Sequence, residues 1–104
     1  MKDTLLHDFF LGFVRIHILY HASHGPVFGL ELMEELSRHG YHIGPGTLYP
    51  ILHGLEAKAF LKSEKRPVSG KMRRYYNITA HGLKALREGR EKSNELVQEI
   101  IKES

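Results

Sequence analysis

The stretch GPGTLYPILHGLEAKAF, residues Gly44 to Phe60, decides the fold. Leu48, Ile51, Leu52 and Leu55 recur at helical spacing, yet Pro50 sits among them. A proline inside a helix removes a hydrogen bond and crowds the preceding turn, at a cost of roughly 3 kcal/mol. With Thr47 or a neighbour as N-cap, Pro50 falls in the first turn, where amides have no intrahelical acceptor to lose. At about 100° per residue from Thr47, Leu48, Ile51, Leu52, Leu55 and Ala59 share one arc, expected to face the core. Tyr49, Pro50, His53 and Ala57 fall opposite, with Gly54 at the margin. A solvated face usually carries Lys, Glu or Arg. This one is narrow, small and nearly uncharged, as expected of a surface that lies close against another. Tyr49 and His53 can donate to phosphates or base edges. The amides ahead of Pro50, together with the helix dipole, form an anion site suited to a DNA phosphate.

Downstream of Phe60 the apolar period changes from 3.6 to 2. FLKSEKR and RRYYNIT read as two strands, with the turn in PVSG. Lys62, Lys65, Arg66, Lys71, Arg73 and Arg74 stand against the single acid Glu64, with Gly70 near the tip. Beside a recognition helix, such a hairpin would follow the DNA backbone or enter a minor groove. Basic edge residues also keep a hairpin from pairing with other strands, so the charge alone does not decide its use.

Upstream, a helix from Gly29 to about His39 carries Leu32, Met33 and Leu36, and Gly40 supplies a left-handed stop. Two short helices joined by GYHIGPG make a helix-turn-helix. A first helix, Thr4 to about Ser23, carries Leu5, Leu6, Phe9, Phe10, Phe13, Val14, Ile16, Ile18 and Leu19 on more than one face. In so small a domain the second face suggests a partner subunit. HGPVFG ends this helix. Thr79 reads as the N-cap of a last helix, where Leu83, Leu86, Val97, Ile100 and Ile101 make a thin stripe suited to intersubunit packing.

The element order helix–helix–helix–strand–strand–helix predicts a mainly α fold with a small β-hairpin wing. Residues 1–79 form the winged helix-turn-helix and residues 80–104 a C-terminal dimerisation helix, in one compact unit. The expected dimer contacts are Phe9, Phe10, Phe13, Leu86, Val97 and Ile100.

Composition agrees with this reading. The chain has 104 residues, enough for one core. Its net charge of +3 is uneven: residues 1–44 hold 3 cations against 5 acids, 45–79 hold 7 against 2, and 80–104 balance at 5 each. An anionic polymer would be drawn to the middle third. With no cysteine, a reducing cytoplasm is the expected compartment. No run of about 18 apolar residues is present, so no membrane partner is expected. Met1-Lys2-Asp3 leads into an amphipathic segment and not into a signal peptide. An enzyme is not expected. GPGTLYP lacks the lysine and preceding strand of a P-loop, and Asp3 and Asp8 are the only aspartates.

Three segments, GPVFGLELMEEL, GPGTLYPILHGLE and RRYYNITAHGLKAL, together resemble the PadR family of bacterial and archaeal transcriptional regulators. The match is specific in Gly46–Glu56, a Gly-Thr-Leu-Tyr-Pro core, and in Tyr75–Gly82. The resemblance implies a homodimer, formed through the first and last helices, that binds a palindromic double-stranded DNA operator and usually represses. It puts Thr47, Tyr49, Pro50 and His53 on the recognition helix. Lys65, Arg66, Lys71, Arg73 and Arg74 fall on the wing. The resemblance also leaves room for a small-molecule effector that would release the protein from DNA. This chain lacks the tryptophans on which some members stack flat aromatic drugs, and has KAF where a glycine often precedes the first strand.

Eight histidines is a high count for this length. His17, His21 and His24 share one helical stripe, where imidazoles could bind a transition metal or a haem, or serve as polar interface residues. No resident cofactor is otherwise expected. Two alternatives therefore stand beside the DNA-binding reading: a metal- or haem-responsive regulator using that stripe, and a winged helix used for protein–protein contact.

Overall fold

The structure, a computed structural model, describes residues 4–102 of the chain. Residues 1–3 and 103–104, with the ends of the two expected regions that fall on them, lie outside the described residues. Helix α1 spans Thr4–Ala22, α2 Gly29–Arg38 and α3 Pro45–Ala57. Strands β1, Leu61–Val68, and β2, Lys71–Ile78, form an antiparallel hairpin, and α4 covers Ala80–Val97. Gln98–Lys102 continues α4 as a π-helical segment.

The core is where the four helices and the base of the hairpin meet. Val14, Ile18 and Leu19 of α1, Leu32 and Leu36 of α2, and Leu48, Ile51, Leu52 and Leu55 of α3 are buried together. Ala22, Val27, Leu61, Tyr76 and Leu86 complete the cluster. Burial of each such side chain contributes about 1.5–3 kcal/mol, so the leucine arc of α3 is what seats that helix. Thr79 is the N-cap of α4, as expected: its Oγ1 accepts from the Gly82 amide at 2.9 Å.

Four sequence expectations need correction. Helix α3 starts earlier than Thr47, with Gly44 as N-cap and Pro45 at the first position. Pro50 is therefore inside the helix, beyond the first turn. The carbonyl deprived of its amide belongs to the exposed Gly46, where water can supply the missing bond, and this reduces the cost. The row of free amides shrinks too. Pro45 has none, and Thr47 and Leu48 both donate to the Gly44 carbonyl, leaving the Gly46 amide.

Ala59, expected on the core arc, lies beyond the helix end, exposed and with φ +65°. The turn of the hairpin is Ser69–Gly70 alone, with φ +50° and +79°, the signature of a two-residue type I′ turn. Pro67 and Val68 continue β1 opposite Met72 and Lys71. Finally, HGPVFG is more than a break. Val27 pairs with Tyr76 through two backbone bonds of 3.0 and 2.7 Å, which anchors the start of α2 to the hairpin.

Beyond the core, Phe9, Phe13, Leu96, Val97 and Ile100 are exposed. Of the expected dimer residues, Leu86 is buried within the chain's own core and Phe10 packs edge-on against Tyr41 at 5.0 Å. Both already have partners in the single chain. Among the described residues, no helix is long and apolar enough to cross a membrane.

Candidate nucleic-acid interface

Thr47, Tyr49, Pro50 and His53 are all exposed on α3, opposite its buried leucines, and Gly54 and Ala57 extend the same flank. No charged side chain interrupts it. Tyr49 is 37% exposed: its ring lies on the surface instead of in the core. It leans over the first residue of α2, where a Cβ on Gly29 would collide with the phenol. That close approach explains a glycine at the start of a helix that needs no special φ there.

The hairpin stands beside this flank. Tyr49, Lys71, Arg73 and Arg74 line one open groove of about 490 Å³, floored by Phe28 and Gly29 and edged by Met72 and Leu30. Of the expected site residues, the groove gathers Tyr49 with the three cations of β2. Thr47, Pro50, His53, Lys65 and Arg66 lie outside it. Phe28, Gly29, Leu30 and Met72 escaped the sequence reading. Phe28 and Gly29 had a signal, since VFGLE puts an aromatic and a glycine where a Ser or Asp cap is usual. Exposed Leu30 and Met72 had none.

The wing's cations are held in different ways. Arg73 lies over the Phe28 ring at 4.1 Å, Phe28 meets Tyr75 edge-on at 5.4 Å, and Arg66 lies over Tyr75 at 4.9 Å. This ladder orients the two guanidinium groups by cation–π contact. Arg66 also pairs with Glu64. Its hydrogen bond and charge hold the Glu64 carboxyl below the usual carboxylate range. Part of the Arg66 charge is therefore spent locally, while Arg73 has no acid at hand among the described residues.

Glu56, on the last turn of α3, fixes the angle between helix and wing. Its Oε2 accepts from the Ser63 amide at 3.1 Å and from the Ser63 hydroxyl at 2.6 Å. Arg74 donates to the same Ser63 oxygen at 2.9 Å. A chain of hydrogen bonds thus runs from a groove cation to the helix that carries Tyr49.

The histidine stripe is rearranged. His24 sits with its Nδ1 2.9 Å from the Tyr20 carbonyl and its ring against that of Tyr20. His39, the exposed C-cap of α2, stacks on His17 with ring centres 5.1 Å apart, and Glu35 comes within 4.0 Å of His21.

Comparison with known proteins agrees with this architecture. The model of the transcriptional regulator PadR-like family matches residues 18–88. Over 96 residues the chain is 49% identical to the transcriptional regulator Rv3488 of Mycobacterium tuberculosis, a match covering 92% of this chain and 90% of that protein. A PadR family transcriptional regulator from Eggerthella lenta has a similar structure, with a TM-score of 0.82 at 30% identity over 95% of this chain and 88% of that one. A transcriptional regulator from Clostridium thermocellum gives 0.79 at 30% identity, over 91% and 95% of the two chains.

Proposed function

Because the chain belongs to the transcriptional regulator PadR-like family, we propose that it binds double-stranded DNA sequence-specifically, as a homodimer on a palindromic operator, and represses transcription. The exposed flank of α3 enters the major groove, with Thr47, Tyr49, Pro50 and His53 nearest the bases. Lys71, Arg73 and Arg74 take backbone phosphates beside it, with Lys65 and Arg66 across the hairpin, opposite Arg74 and Arg73. The protein works in the cytoplasm without catalysis, and a small ligand releases it from DNA.

One observation carries this reading: Tyr49, from the uncharged flank of α3, lines one open groove together with the three cations of β2. Solvated protein surfaces mix both signs of charge, whereas a polyanion calls for a close, neutral approach flanked by positive charge. The dimer rests on Phe9, Phe13, Val97 and Ile100, large apolar side chains left exposed on α1 and at the end of α4.

The test is a footprint on the protein's own promoter, followed by a salt titration. Two protected half-sites are expected, with log–log salt dependence falling by about 0.9 per phosphate neutralised. Affinity that ignores salt would point instead to a protein partner on an uncharged face. Charged substitutions at Val97 and Ile100 should give monomers in sedimentation. A dimer that persists would remove the last helix from the interface.

A further inference from the structure

We propose that His21, Glu35 and His39 form a binding site for a divalent transition-metal ion of the zinc type, joining the C-terminal half of α1 to the end of α2. One donor atom from each residue lies within 4.8 Å of the other two. Donors bound at about 2.0–2.2 Å around a tetrahedral ion stand roughly 3.4 Å apart. The set therefore needs only a small contraction, which rotation of the exposed His39 and the partly exposed Glu35 side chains supplies.

Three further features favour an ion over a chance cluster. The His21 Nε2 is buried and has no hydrogen-bond partner among the described residues, with Glu35 Oε2 at 4.0 Å, beyond a hydrogen bond. An imidazole nitrogen shut away from water and left unpaired is costly unless something else takes its lone pair. Next, Glu35 lies in the last turn of α2 and His39 is the residue that caps it, and both offer a donor atom on the side of His21. Lastly, an outer shell is present. Arg38 donates to Glu35 Oε1, leaving Oε2 toward His21, and His17 stacks on His39. Burial, the largest influence, holds His21 below its ordinary pKa, with the Glu35 carboxylate opposing it.

Two imidazoles and a carboxylate suit zinc and its neighbours, and exclude the all-oxygen preference of magnesium or calcium. The fourth position would be left to water, because His39 is on the surface. Such an open, surface site fits reversible binding better than a closed structural one. The assignment does not depend on DNA binding.

The experiment is calorimetry of the tag-free, chelator-treated protein with zinc chloride, and with cobalt chloride for the visible spectrum of the bound ion. One ion per chain is expected. His39→Ala and Glu35→Gln, both at surface positions, should each weaken zinc binding at least tenfold while circular dichroism stays unchanged. His21→Ala should do the same, and His42→Ala, outside the cluster, should leave binding intact. Absence of binding to the wild-type protein would overturn the assignment. So would wild-type affinity in His39→Ala, or a loss in His42→Ala equal to that in His39→Ala.

Discussion

Helices α2 and α3 each bury a leucine stripe, Leu32 and Leu36 in one and Leu48, Leu52 and Leu55 in the other. They also stop in the same hydrogen-bonded cap, and they are joined by a short turn. Their outward sides differ. In α2 that side carries Glu31, Glu34, Ser37 and Arg38, as water demands, with Leu30 alone turned to the groove, whereas α3 shows Thr47, Tyr49, Pro50, His53, Gly54 and Ala57. Core packing explains the first list and the second equally poorly, since neither side faces the core. What separates them is the medium each meets. Charged side chains maximise hydration, and a side meant to be covered avoids the desolvation that charges would impose.

The sharpest way to break this comparison is to make α3 resemble α2. Gly54 is exposed, and a Cβ there meets nothing within 4 Å, so Gly54→Glu fits without a clash. Replacing a helical glycine should stabilise the fold by about 0.5–1 kcal/mol. The added carboxylate would face phosphates, and like-charge juxtaposition at an interface costs several kcal/mol. The expected outcome is a more stable protein by thermal melting that no longer shifts operator DNA. If it binds normally, the flank does not face DNA. A charge reversal on α2, Glu34→Lys, should leave both readouts nearly unmoved.

A smaller effect is expected from the groove's own donors. Arg73→Ala should cost about 1.5–3 kcal/mol of DNA affinity, the range for a charge-assisted hydrogen bond, and about equally on specific and random sequence. Tyr49→Ala should weaken operator binding without unfolding the domain, because its ring is not part of the core. Selective loss on the operator after Arg73→Ala would transfer base reading from α3 to the wing. Gel-shift titrations on the two kinds of DNA distinguish these results.

Sequence reading succeeded where structure is local. Leu48, Ile51, Leu52 and Leu55 are buried as the helical period requires, and Thr79 caps α4 as its position predicts. It also found the exposed flank of α3 and the cations of the wing. It went wrong at Pro45, because Gly-Pro-Gly has the composition of a turn while proline is equally suited to a first helical position. It could not see Val27 paired with Tyr76, a contact between residues 49 apart made by one loop residue with no period of its own. Nor could it see Arg73 over Phe28, or Glu35 and His39 beside His21, since such meetings depend on how α2 packs and not on spacing within it.

The link between α3 and the wing offers a third test. Glu56 accepts two hydrogen bonds from Ser63, and Ser63 accepts one from Arg74. Glu56→Gln keeps the shape and one acceptor oxygen but loses the charge. A loss of about 1 kcal/mol in stability to urea is expected, with a modest fall in DNA affinity as the wing's angle loosens. An unchanged urea midpoint would mean that the strand is held by its ladder alone.

The smallest effect concerns the shared stop. In α2, the Gly40 amide donates to Ser37 at 3.0 Å and the Tyr41 amide to Leu36 at 2.8 Å. In α3, the Ala59 amide donates to Glu56 and the Phe60 amide to Leu55, both at 2.9 Å. This is the same Schellman pair, and it requires a left-handed residue just past each helix. Gly40 adopts φ +88° freely, whereas Ala59 is held at +65°, where a Cβ costs roughly 1–2 kcal/mol. Glycine there would remove that strain but add roughly 0.5–1 kcal/mol of chain entropy to lose on folding. Ala59→Gly should therefore gain about 0.5–1 kcal/mol in a thermal melt, and Gly40→Ala should lose stability. DNA affinity should not follow either change, since neither residue lines the groove. A destabilised Ala59→Gly protein would mean that the methyl group contributes more through its contacts than the left-handed backbone costs.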